Sequence, residues 1–137
     1  MREESPSRTF VSLRLGGEKF DFFMDIDFIR KHCTSLKGVT EDVKWDNDLV
    51  FSIGGKMFCV VGLDLPFGCS FKVGDEEFDE LSTNPGFMPA PYMARAKWVA
   101  VNDKVRLSKK EWEAYIRQSY ELVKAKLTKK TKEELRI

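Results

Sequence analysis

The sequence predicts an α+β domain: a twisted antiparallel sheet with helices packed on one face, in the order helix, strands, short helix, strands, long helix. Three observations carry this expectation. "LVFSI" and "KMFCVVGL" flank Gly54-Gly55, the pattern of a tight hairpin whose two turn residues accept positive φ. Ser108 and Glu111 make an S-x-x-E capping pattern ahead of Trp112, Ile116, Ser119, Val123 and Leu127, which recur at helical spacing. The remaining apolar runs are short and punctuated by Gly and Pro, as in antiparallel strands covered on one side.

The elements follow in order. Residues 1–23 read as an N-terminal extension, either disordered or a hairpin in which Val11, Leu13 and Leu15 alternate before Gly16-Gly17. The domain proper is expected over 24–127. Its first helix takes Asp25 as N-cap, with Ile26, Ile29, Cys33 and Leu36 as one apolar stripe and Gly38 as the C-terminal stop. "VTEDVKWDNDL" reads as polar and turn-rich around Trp45. In the hairpin, Leu49, Phe51 and Ile53 share one face, and Met57, Cys59, Val61 and Leu63 share one face of the next strand. "CSFKV" is a third strand, with Cys69, Phe71 and Val73 on one side and Lys72 on the other.

Asp75 caps a short helix whose Phe78 and Leu81 face inward; its carboxylates read as a solvated face. "FMPAPYM" fits an irregular edge segment, because Pro89 and Pro91 lack donors. "KWVAV" then has strand character. Residues 128–137 read as a frayed, charged tail.

A chain of 137 residues with 42% hydrophobic and 33% charged residues has the composition of one globular domain. Its longest apolar run is too short to span a bilayer, and the N-terminus lacks the apolar core of a signal peptide, so a cytoplasmic protein is expected. Cys33, Cys59 and Cys69 are odd in number and not spaced as C-x-x-C; they read as buried thiols. His32 is the sole histidine, and its neighbour Cys33 points elsewhere on a helix, so neither a Cys–His pair nor a zinc site is expected. No P-loop, G-x-S-x-G elbow or H-E-x-x-H motif is present. The expectation is a protein that is not an enzyme, with no cofactor, no metal, no membrane contact and no identifiable small-molecule substrate.

The net charge is +1, but residues 24–94 hold 6 Lys and Arg against 12 Asp and Glu, while 95–137 hold 13 against 6. This asymmetry points to an anionic partner for the C-terminal part. Arg95, Lys97 and Trp98 follow the proline loop, and Lys124 and Lys126 lie near the end of the last helix, where the helix dipole also favours cations.

From residue 24 onward the chain resembles the MmcQ/YjbR family of small bacterial proteins. The carriers are "IRKHCTSLKGVTED", "DLVFSIGGKMFCVVGLD", "SFKV" before a short acidic helix, "PGFMPAPYMARAKWV" and "SYELVKAKL". Glu41, Gly55, Lys56, Lys72, Pro89, Lys97 and Trp98 match its recurrent residues; Ala96 and Lys97 stand where many relatives carry a histidine before the tryptophan. The resemblance implies a fold like that of the frataxin-like CyaY proteins and a DNA-binding label. Combined with the charge distribution, it makes Lys56, Lys72, Arg95, Lys97, Trp98, Lys124 and Lys126 the candidate nucleic-acid-binding residues, using phosphate contacts. The alternatives are a protein–protein adaptor or homodimer without a nucleic-acid role and, third, a metal-handling domain by analogy with frataxin-like folds.

Overall fold

Alternating apolar residues along "LVFSI", "FCVV" and "CSF" build the centre of a six-stranded, wholly antiparallel sheet in a computed structural model that describes residues 14–103 and 107–137. The strands are β1 (Val39–Lys44), β2 (Asp48–Ile53), β3 (Lys56–Gly62), β4 (Cys69–Lys72), β5 (Phe87–Pro89) and β6 (Trp98–Val101), in the spatial order β1-β2-β3-β4-β6-β5. The helices are α1 (Arg14–Ser35), α2 (Asp75–Leu81), α3 (Lys109–Ala125) and α4 (Lys129–Leu135). The expected α+β architecture and its element order are present.

One face of the sheet carries the main core. Leu49, Phe51 and Ile53 of β2, Cys59 and Val61 of β3, Cys69 and Phe71 of β4, and Val99 and Val101 of β6 meet the apolar sides of α1 and α3 there. Phe78 of α2 and Leu135 of α4 pack against the same cluster, so all four helices add to this side. Ile26, Ile29, Cys33 and Leu36 are buried as their spacing predicts. The α3 capping box forms: the Ser108 hydroxyl accepts from the Glu111 amide at 3.2 Å, and the Glu111 carboxylate accepts from the Ser108 amide at 2.9 Å. The other face carries a smaller cluster of Val50, Val60, Ala90 and Trp98, against which no α-helix packs among the described residues.

The Gly54-Gly55 turn joins β2 to β3 with φ of 59° and 81°. The two glycines differ in surroundings. A Cβ on Gly54 would stand 2.8 Å from Leu127 and 3.0 Å from Thr131, whereas one on Gly55 would meet nothing within 4 Å. Alanine at either site incurs about 1–2 kcal/mol for the left-handed backbone. Gly54→Ala must also displace Leu127, so thermal melts should place it below Gly55→Ala in Tm.

Several boundaries differ from expectation. The first helix starts at Arg14, so Asp25 is an interior residue and Gly16-Gly17 are helical rather than a turn. The hairpin expected at Val11 and Leu13 lies outside the described residues. Residues 39–44 form β1 instead of a polar turn; as an edge strand they are exposed on both faces, which hides the two-fold alternation. The tail is not frayed: the Thr128 hydroxyl accepts from the Thr131 amide at 3.1 Å, α4 follows, and Leu135 and Ile137 dock on the core. Met57 lies on the open face with Val60 rather than beside Cys59, because a bulge shifts the register after Phe51 and turns both Phe58 and Cys59 into the main core.

The bulge frees backbone groups that a buried side chain then satisfies. Ser119, fully buried on α3, donates its hydroxyl to the Phe58 carbonyl at 2.6 Å and accepts from the Lys72 amide at 2.9 Å. α3 is thereby fixed against the ends of β3 and β4. Nearby, the Cys59 and Cys69 sulfurs lie 3.7 Å apart. Burial pushes the Cys33 thiol up; the bond to Cys59, then burial, pushes Cys69 up. Among the described residues, no helix is long and apolar enough to cross a membrane.

Candidate nucleic-acid interface

The topology gathers distant cations at one end of the sheet. The antiparallel register brings the end of β2, the start of β3, the end of β4 and the start of β6 to the same edge: Ile53 pairs with Lys56, and Lys72 pairs with Trp98. α3 runs toward that edge, since Ser119 holds the Lys72 amide and Leu127 abuts the Gly54 turn. Lys56, Lys72, Lys97 and Lys126 therefore belong to one rim, with Arg95 on the 3-10 turn Ala94–Ala96 that precedes β6.

Lys72 stands at its centre. Its ammonium donates to the Ala96 carbonyl, which ties β4 to the turn. Burial holds the group below the usual lysine range, Lys126 and Lys97 push it further down, and Asp75 opposes them. Lys97 has a left-handed backbone, φ 64°, at the end of the turn. Its ammonium lies 5.0 Å from the centre of the Phe78 ring, a cation–π contact that leaves its charge uncompensated. Among the described residues, none of Lys56, Lys72, Arg95, Lys97 and Lys126 has a carboxylate within ion-pair distance.

The seven expected residues are not all brought together. Trp98 is 4% exposed and belongs to the apolar cluster beneath Ala90, so it presents no ring for stacking on a base. Lys124 points away from the rim: its ammonium lies 3.9 Å from Glu121 and 5.8 Å from the centre of the Tyr120 ring. Lys56 and Lys72 come from opposite faces, since Lys56 is opposite core-facing Ile53 and Lys72 is opposite Trp98; they meet at an end and not on a shared face. Two-fold alternation along a strand would put Arg95 and Lys97 together on the face opposite Trp98. It does not apply, because 94–96 is a tight turn and β6 begins only at Trp98.

The acidic residues of α2 have defined places as well. Glu77 reaches back to the Gly74 amide at 3.4 Å and accepts from Gln118 of α3 at 2.6 Å. The Arg30 guanidinium of α1 grips Glu41 of β1 with bonds of 2.8 and 2.9 Å and holds that carboxyl below the usual range. Among the described residues, no group of three His, Cys, Asp or Glu is placed to hold a metal ion.

The coupling of the three lysines has a measurable sign. Lys126→Gln removes a positive neighbour, so the Lys72 pKa should rise toward the ordinary lysine value. An anion bound at the rim should move it the same way. NMR titration of the lysine side chains reads both effects.

Comparison with known proteins follows this geometry. The model of the YjbR family matches residues 34–122, from the end of α1 to the last turns of α3. A crystal structure of a protein from Pseudomonas syringae, solved by the Northeast Structural Genomics Consortium, is similar in fold: TM-score 0.59, 22% identity, covering 72% of this chain and 97% of that one. No curated protein matches.

Proposed function

As a member of the YjbR family, to which the chain belongs, the protein is, we propose, a non-catalytic binding module that takes nucleic acid through phosphate contacts along its basic rim. The observation that carries this reading is the convergence of Lys56, Lys72, Arg95, Lys97 and Lys126 at one end of the sheet without carboxylate partners among the described residues. Cations held together against mutual repulsion favour a ligand that carries several negative charges at regular spacing. A phosphodiester backbone is such a ligand.

The reading specifies how binding behaves. The rim is formed by lysines and one exposed arginine, and Trp98 is buried, so contacts go to phosphates and not to bases. Affinity should therefore depend little on sequence and strongly on salt. A mobility-shift titration with duplex DNA tests this. A shift at micromolar protein that fades between low and moderate salt supports the reading, and no shift at low salt removes it.

A further inference from the structure

The open face of the sheet holds a second concavity, away from the basic rim. It has a volume of about 690 Å³, with Met57, Val60 and Ala90 in its floor and Trp45 and Tyr92 among its walls. Trp45 is 62% exposed and Tyr92 is fully exposed at 105%. Both have left-handed backbones, φ 49° and 65°, a conformation that is rare and costly for bulky side chains. Neither ring is placed by core packing; both line the mouth of the groove above the same apolar floor.

Asp48, at the start of β2, also lines this groove, and among the described residues its carboxylate has no hydrogen-bond or ion-pair partner. Its Oδ1 lies 3.9 Å from where a Cβ on Gly62 would stand, at the β1–β2 end of the groove. Ser70 adds one hydroxyl, and among the described residues no Lys or Arg lines the site.

From this we infer that the groove binds a small planar aromatic cation, with its ring between Trp45 and Tyr92 and its positive charge toward Asp48. The chemistry is specific. Two π faces and the polarisable Met57 and Met93 thioethers suit a flat, electron-poor ring. A cation gains from the ring quadrupoles and from the unpaired carboxylate. A phosphate-bearing ligand would meet the Asp48 carboxylate inside the groove, whereas Lys44, opposite Asp48 on β1, neither lines the groove nor forms an ion pair with it, which separates this site from the basic rim. The size and the apolar lining with few polar groups are those of small-molecule sites.

Fluorescence titration of the full chain with N-methylquinolinium, and with neutral quinoline at pH 8, tests the inference. Trp98 and Trp112 are buried, so quenching reports mainly on Trp45. The expected result is saturable quenching with N-methylquinolinium bound on the order of tenfold tighter than quinoline. Asp48→Asn should bring the two to equal affinity, and Tyr92→Ala should weaken both. Tyr92 is wholly exposed, so its replacement leaves the core intact, and far-UV circular dichroism verifies this. Equal affinity of the two probes for the wild-type chain, an unaffected Asp48→Asn variant, or no saturable binding at millimolar probe overturns the inference. So does an affinity that falls as protein concentration rises with dimers in light scattering, which would assign the groove to a second copy of the chain.

Discussion

Phe71→Ala should lower the stability of the domain by about 3–5 kcal/mol. Phe71 is fully buried at the centre of β4; its ring stacks on Tyr115 at 5.5 Å and meets the edge of Trp112 at 6.2 Å. The substitution removes the apolar surface that joins β4 to α3 and leaves a cavity which two large neighbouring rings cannot fill without leaving their own partners. Small domains are stable by roughly 5–15 kcal/mol, so the loss is a large fraction of the total. Urea unfolding reads it directly: the midpoint should fall with the slope unchanged. A loss under about 1 kcal/mol would mean that α3 is not held to the sheet at this point. The site depends on the same junction, because Lys72 follows Phe71 and α3 supplies both Ser119 and the approach to Lys126.

The second large effect is on binding. Replacing Lys72, Lys97 and Lys126 together by Gln should weaken DNA affinity by roughly tenfold or more at low salt, because three phosphate contacts and their counterion release are lost. All three side chains are at least partly exposed, so stability should change little. Lys124→Gln is the matched control. Lys124 is on the same helix but engages Glu121 and Tyr120, and its loss should leave affinity nearly unchanged. A loss of log affinity for Lys124→Gln as large as one third of that of the triple variant would show that total charge, and not its gathering at the rim, governs binding.

The parts of this architecture that were legible in the sequence are those with a local physical signature. The Gly54-Gly55 turn, the Ser108 capping box and the helical stripe from Trp112 to Val123 each follow from a backbone requirement or a period, and each is found where it was expected; Leu127 is buried too, but just beyond the end of α3 at Ala125. β1 was hidden because an edge strand with polar residues on both sides has no buried face to report. α4 was hidden because lysines dominate it, although Thr128 as its cap and Leu135 and Ile137 as its anchors were in view.

The site was legible only in part, for reasons of register. That Lys72 opposes Phe71 on its strand follows from alternation. The bulge at Phe58 and the turn before Lys97 both break that alternation, and neither is marked by a glycine at the residue concerned. The meeting of Lys56, Lys72 and Lys97 at one end depends on the pairing order of four strands, which is a property of the whole sheet. The groove between Trp45 and Tyr92 depends on left-handed backbones at residues that seldom adopt them, so its walls could not be read from residue type.

The most direct test of the rim as a phosphate-binding surface is the salt dependence of DNA affinity, read by fluorescence anisotropy with a labelled duplex. With about five cations engaged, log affinity should fall against log salt with a slope of roughly −4 to −5. In the Lys72, Lys97 and Lys126 triple variant the slope should be shallower by about 3. A slope near zero for the wild-type chain, or no anisotropy change at micromolar protein in low salt, would contradict the account.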